Sequence, residues 1–462
     1  MLTLELYNLK SMKFKINPFI ILVGICLIAN IILSYLFKFE RMIMLDMAFH
    51  LFKIISKENF AIQNWRFGAA ITQFVPLLGT KMNLSLSSIS TLYSISFSIL
   101  YFLIYLILVL LKSERYILLL FLYLFTMTTH SFFWPISEIH QGSVILILYL
   151  ALLDFYKFDF KSIPLILATI VFLPTIIFLY PLLIFAVVSI FIYFFFVKRE
   201  KNGIVFIGTV IFICIFSKLN FFSSSYDNYS MTKAFNIENY LIFYSLKSTK
   251  MFMDHTFANY YLWLGSFLIM ILVFIKKMNF RPLLFLLGYS FGIFLVINVS
   301  YPEGGEPFYL EGQYMQLNLF SSFIAISEFK RIEKSAISLF VVIIFFAFFM
   351  LRVFDISNQY TNRVDVCNGL IKSNNGKKII IKETDKIKKD LKMTWGSSFE
   401  TWLLSTIKTG KSSSIMITYN PDKYKVDLDK NHAWITEWET IDYEKLNPKY
   451  FVFKDTGRYE LK

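Results

Sequence analysis

Along most of the chain the apolar residues form long runs with few or no charges, and the charged residues gather between them. A helix needs about 20 apolar residues to cross the hydrocarbon layer of a membrane. The runs are Ile16–Phe37, Ser88–Leu111, Tyr116–Met127, Gly142–Leu153, Ile163–Leu179, Pro181–Val197, Gly203–Phe216, Tyr260–Ile275, Pro282–Val299, Tyr314–Ile326 and Ser335–Leu351. So many runs exclude a buried soluble core as their cause. They predict an all-α polytopic membrane protein with about eleven transmembrane helices.

The connectors orient these helices. With a cytoplasmic N-terminus, the inner connectors hold Lys112 and Arg115, Lys157 and Lys161, Lys198, Arg199 and Lys201, Lys276, Lys277 and Arg281, then Lys330, Arg331 and Lys334. The short outer connectors Thr128–Gln141, Tyr180–Pro181 and Tyr301–Gln313 contain no Lys or Arg. Cytoplasmic loops carry the basic excess in membrane proteins, and long translocated loops escape the rule. Residues 1–351 therefore read as a membrane domain with outer loops at 38–87, 217–259 and 301–313. Residues 352–462 read as an extracytoplasmic domain. The first run is too long for a signal-peptide core and lacks a small-residue cleavage site, so it reads as an uncleaved span.

The tail after Leu351 alternates short apolar strings with polar ones. Lys377–Lys382, Ser414–Tyr419 and Tyr450–Phe453 read as strands, and Ser398–Ile407 as a helix stopped at Gly410. A small α/β domain on the outer membrane face is expected, with no catalytic motif of its own.

Composition adds little that changes this picture. The 462 residues are 56% hydrophobic, and the formal charge of +14 sits mostly in the connectors, which points to topology and away from nucleic acid. Cys26, Cys214 and Cys367 form no CxxC or disulfide framework. Frequent Lys, Ile, Asn and Phe fit an AT-rich bacterial source, and hence an inner (plasma) membrane. The two halves show no internal repeat, which counts against a secondary transporter.

Candidate chemistry lies on the outer side. In the first loop, LDMAFHLFKIIS places Asp46 and His50 one helical turn apart. Met42, Leu45, Phe49, Phe52 and Ile55 share helical spacing, so the segment reads as a helix along the membrane surface. Taken alone, its Asp and His are solvated or pair with each other. NWRFGAAITQFVPLLG follows. In the next outer connector, THSFFWPISEIHQGS carries Glu138 and His140 at the polar ends of two short runs, where ionisable groups become candidates. YPEGGEPFYLEGQYMQ supplies Glu303, Glu306 and Glu311 in what reads as a flexible acidic loop able to meet sugar hydroxyls or a cation. Tyr226, Tyr229 and Tyr240 offer sugar stacking or an interfacial belt.

The order of an acidic residue soon after the first span, surface helices, an Arg-containing stretch and a small-residue run resembles the first outer loop of the GT-C superfamily, glycosyltransferases that use polyprenyl-phosphate-linked sugars. Two departures stand out: the acidic residue is single, where many members carry a pair, and the usual Arg near the outer end of the fourth span is missing. The resemblance implies a GT-C-like fold and transfer of a sugar to an envelope lipid, glycan or protein. In that chemistry Asp46 would be the base. Arg66 would bind the donor phosphate, with Arg41 and Lys53 behind it. His50, Glu138, His140 and the three Glu residues would support the site or bind acceptor. No cofactor is expected; were a divalent metal used, Asp46, Glu138 and His140 would hold it. The alternatives are an O-antigen-type polysaccharide polymerase or ligase, and a transporter or flippase.

Overall fold

Apolar runs become helices, and local sequence sets their ends. A computed structural model describes residues 17–200, 203–329, 336–374, 377–428, 432–453 and 458–462; Lys201, Lys330, Arg331, Lys334 and the first residues of the first and last expected spans, Ile16 and Ser335, lie outside them. The first helix among the described residues, α1 (Pro18–Leu36), opens with proline in its first turn and with the Asn17 side chain accepting from the Phe19 amide at 3.1 Å. Two short helices follow, α2 (Lys38–Met42) and α3 (Asp46–Lys57). The chain then forms α4 (Ala70–Lys81), α5 (Leu86–Leu110), α6 (Glu114–Phe125), α7 (Glu138–Phe155), α8 (Ile163–Leu179), α9 (Leu182–Phe196), α10 (Ile204–Asn220) and α11 (Ser225–Ala234). After a further short turn come α12 (Lys247–Ala258), α13 (Tyr261–Lys276), α14 (Phe280–Ser300), α15 (Pro307–Glu328) and the 39-residue α16 (Ala336–Asn374).

The expectation of about eleven spans in a GT-C-like fold is corrected. Among the described residues five helices are long and apolar enough to cross a membrane: α1, α5, α7, α14 and α16. Counting the sharply bent pairs α10–α11 (98°) and α12–α13 (90°) as one span each raises the number to seven. Three of the remaining apolar runs close into shorter helices, 12 residues in α6, 15 in α9 and 17 in α8, while Tyr314–Ile326 lies in the 22-residue α15, which is long enough but not apolar enough. The chain is a polytopic, mostly helical membrane protein, with fewer long spans than its runs suggest.

The C-terminal part is small and open. β1 (Lys378–Lys382), α17 (Asp385–Leu391), α18 (Ser397–Thr409), β2 (Ser414–Thr418), β3 (Ala433–Ile435), β4 (Thr440–Asp442) and β5 (Glu460–Leu461) form a parallel three-stranded sheet, order β2-β1-β5, and a β3-β4 antiparallel pair. Helix α18 ends on Gly410 in the left-handed conformation, φ 67°, which glycine adopts without Cβ strain. The segment expected as a third strand, Tyr450–Phe453, contributes only a bridge from Phe453 to Ser412.

The boundary expected at residue 352 falls inside α16. Arg352 is buried and donates to the carbonyls of Phe125 and Thr126 at 2.7 Å, capping the open end of α6. The surface helix is also revised. The apolar face of α3 packs under the C-terminal part: Phe52 meets Trp434 at 4.4 Å between ring centroids, with Phe399, Trp402 and Phe451 around it. The rings expected to face lipid are therefore buried against protein.

Candidate active site

Two features of the segment between α1 and α4 place its charged residues. Leu45, just before α3, has φ 37° and ψ −96°, and Asp46 is the first residue of the helix. Arg66 precedes a 3-10 turn at Phe67–Ala69, where Gly68 lies so close to Leu179 that an added Cβ would sit 2.5 Å from it. Both side chains enter one cavity of about 420 Å³, together with His50, Glu138, Tyr180, Tyr226, Tyr301, Glu306, Tyr309 and Gln313.

At one end, Asp46 Oδ2 accepts from Trp134 Nε1 and from the Tyr309 hydroxyl, each at 3.2 Å. Burial pushes its pKa up to about 6, and nearby Glu138 adds to the rise while the two hydrogen bonds oppose it. His50, one turn on, meets Gln73 Nε2 through Nδ1 at 3.3 Å, and burial lowers its pKa to about 4. At pH 7 the pair is therefore a carboxylate next to a neutral imidazole.

At the other end, Arg66 donates to Glu138 Oε2 at 2.9 Å and to Asp227 Oδ1 at 3.2 Å, and its guanidinium lies 4.9 Å from the Tyr180 ring centroid. Burial works against its charge, but Glu138, Tyr180 and Asp227 outweigh it and hold the pKa above the ordinary value. Glu138 stands in the first turn of α7, where the helix dipole favours an anion. Arg66 Nε and Asp227 Oδ2 are buried without a partner among the described residues. Such unpaired polar atoms are costly and recur where a ligand completes the site.

The cavity continues into the membrane part. Arg66, Tyr180, Tyr226, Tyr301 and Gln313 also wall a narrow cleft of about 90 Å³ that extends to Phe185 and Val296. Those two residues in turn line an apolar groove of about 440 Å³ between α9 and α14. Gly288 and Gly292 face this groove with nothing within 4 Å of an added Cβ.

The other candidates lie elsewhere, each for a physical reason. Arg41 spends its donors on Ser94 Oγ (3.1 Å), the Ser94 carbonyl (3.0 Å) and the Phe132 carbonyl, and so clamps helices in place of a phosphate. Lys53 pairs with Glu439 of the C-terminal part. His140 turns away and bonds Tyr123 through Nδ1 at 3.1 Å. Glu303 is exposed in a turn, and Glu306 reaches the cavity rim with Lys392 at 3.6 Å. Glu311 does not sit in a flexible loop, because Pro307 starts α15. Its fully buried carboxylate accepts the amides of Thr129, His130 and Ser131 at 2.7, 3.0 and 2.8 Å, and so anchors the turn before α7. Of the tyrosines, Tyr226 lines the cavity, Tyr229 is exposed, and Tyr240 donates to the Ala234 carbonyl.

Among the described residues no three His, Cys, Asp or Glu side chains are grouped to hold a metal ion, and Asp46, Glu138 and His140 do not converge. Asp227, Tyr180 and Tyr309 were not among the sequence candidates. The carboxylate of Asp227 in SSSYDNYS carries no spacing signal, since its partner is an Arg from a different loop.

No family model, no curated protein and no solved structure matches the chain.

Proposed function

We propose that the protein is a membrane glycosyltransferase that moves a sugar from a polyprenyl-phosphate donor to an envelope lipid, glycan or protein on the non-cytoplasmic side. The observation that carries this reading is the continuity of an apolar groove facing the bilayer with a cavity that holds a guanidinium and a carboxylate of raised pKa. A lipid-linked donor needs both environments at once, an apolar trough for its chain and a cation for its phosphate. The likeness of the first outer loop to GT-C glycosyltransferases supports the same reading.

In this reaction Asp46 accepts the proton of the acceptor hydroxyl, whose oxygen attacks the anomeric carbon. The bond from that carbon to the phosphate oxygen breaks with inversion, and the departing polyprenyl phosphate gains negative charge. Arg66 is the group that meets it. Glu138 and Asp227 hold the guanidinium in place between turns. Tyr309 and Trp134 hold one oxygen of the carboxylate in place at the cavity wall. His50, neutral at pH 7, leaves the positive charge at the phosphate end.

Donor binding tests the groove. Gly292→Trp places an indole in open space, so the protein should insert and fold normally. Binding of a short-chain polyprenyl phosphate should fall at least about tenfold, as expected when a site loses well over 1.4 kcal/mol of interaction. Unchanged binding would remove the groove from the site.

The orientation proposed with this function puts the N-terminus inside and residues 377–462 outside. The three cysteines are buried, so native thiol labelling is a weak test. Lys386 is exposed, and Lys386→Cys should react with a membrane-impermeant maleimide in intact cells. Labelling only after the cells are opened would reverse the topology.

A further inference from the structure

Helix α3 begins with neither a side-chain cap nor a relaxed entry. No side chain caps its N-terminus, and Leu45 occupies the left-handed half of backbone space, where a leucine is strained. Such a conformation persists only when its surroundings impose it. Two residues of α18 and its approach do so. The Leu45 amide donates to Glu400 Oε1 at 3.0 Å. Gly396 lies against the same residue, since a Cβ there would come within 3.1 Å of Leu45 Cα and 2.9 Å of its side chain. Leu45 in turn accepts the Phe49 amide at 3.0 Å, so the first turn of α3 hangs from it.

Glu400 is itself locked. Its carboxylate is fully buried and takes Arg363 Nε at 3.1 Å and the Arg363 terminal nitrogen at 2.7 and 3.0 Å. The remaining Arg363 donors reach the carbonyls of Leu391 and Met393, and Met393 walls the cavity. A forked guanidinium held at five points leaves the carboxylate one geometry, with one oxygen on Leu45.

We propose that Glu400, oriented by Arg363, is a positioning residue of the Asp46 site, and that the C-terminal part sets the reactive geometry of the carboxylate through the Leu45 amide. Asp46 is the next residue after Leu45, so relaxing that backbone turns its side chain away from Trp134 and Tyr309 and opens it to water. The effect on transfer rests on the function proposed above; the effect on the carboxylate itself does not.

The test reads the carboxylate directly. A hydrophobic carbodiimide modifies protonated carboxyls, so modification of Asp46, followed by mass spectrometry of its peptide, should fall with a midpoint near pH 6 in the wild type. Replacing both partners, Arg363→Met with Glu400→Met, removes the pair without leaving a lone buried charge. That variant should shift the midpoint down by about one unit as water reaches Asp46. It should also lower kcat while leaving the donor KM unchanged, because Arg66 is untouched. Arg363→Lys keeps the Glu400 contact and should restore the wild-type midpoint. If the double variant fails to fold, Gly396→Ala presses on Leu45 with the ion pair intact and should give the same shift. A wild-type midpoint in either folded variant overturns the proposal. A shifted midpoint in a protein that transfers no sugar keeps the positioning role and rejects the glycosyltransferase reading.

Discussion

Asp46→Asn should abolish sugar transfer while leaving the protein at least as stable as the wild type. The amide oxygen of Asn can still accept from Trp134 and Tyr309, so the local network survives. What is lost is the base, and removal of a general base costs roughly 10²–10⁴ in rate. Donor binding should persist because the phosphate contacts are made by Arg66. The stability effect has a definite sign. The native carboxyl titrates near 6, above the value of about 3.9 in an unfolded chain. The native state therefore binds the proton more tightly, and stability falls as pH rises between those values. Above pH 6 the ionised Asp46 costs on the order of 1–3 kcal/mol. Asp46→Asn should relieve that cost, raising the melting temperature clearly at pH 8 and hardly at pH 4. Wild-type kcat should drop below pH 6 as the base becomes protonated. A variant that transfers at near-normal rate would remove Asp46 from the chemistry.

The second large effect is expected at Arg66. Arg66→Lys keeps a cation between Glu138 and Asp227 but loses the planar fork, so folding should be retained. Donor affinity and kcat should both fall, with a loss on the order of 10² in kcat for one displaced transition-state donor. Arg66→Ala strips Glu138 and Asp227 of their hydrogen-bonded counter-charge and leaves only the longer-range charge of Lys218. It should destabilise the protein as well, by roughly 3–5 kcal/mol if the buried pair behaves as others do. Full activity in a folded Arg66→Lys protein would mean that bidentate contact is not used. Loss of stability alone, with normal turnover in the surviving fraction, would make Arg66 purely structural.

How much of this was legible in the chain depends on the range of the interaction. Apolar runs gave helices because backbone hydrogen bonds inside a bilayer must be satisfied locally. The helix over Ser397–Thr409, with its stop at Gly410, and the strand at Lys378–Lys382 are likewise local signals. Span number was not legible, because it depends on where each helix stops: α6 closes after 12 residues, and its end is capped by Arg352 from far along the sequence. The apolar face of α3 looked like a lipid-facing surface, and only the later Trp434, Phe399 and Phe451 reveal what covers it.

The site divides the same way. Glu138 stood out because an ionisable residue at the polar end of a short apolar run is costly unless used, whereas Asp46 and Arg66 were singled out by the resemblance of their loop to that of GT-C glycosyltransferases. Asp227 and Tyr309 complete their network from α11 and α15, and nothing in their own neighbourhood announces it. His140 sits two residues after Glu138, but on a helix that offset turns the side chain through roughly 200°. It accordingly faces Tyr123 and leaves the cavity to Glu138.

The central claim, that one continuous site takes a polyprenyl phosphate, is tested most directly by a structure of the purified protein with a short-chain polyprenyl phosphate bound. The phosphate should lie within about 3 Å of the Arg66 guanidinium, and the isoprenoid chain should run between α9 and α14 past Gly292. A phosphate found instead in the opposite-face cavity beside Lys112 and Arg115, with the Asp46 cavity holding only water, would contradict the account.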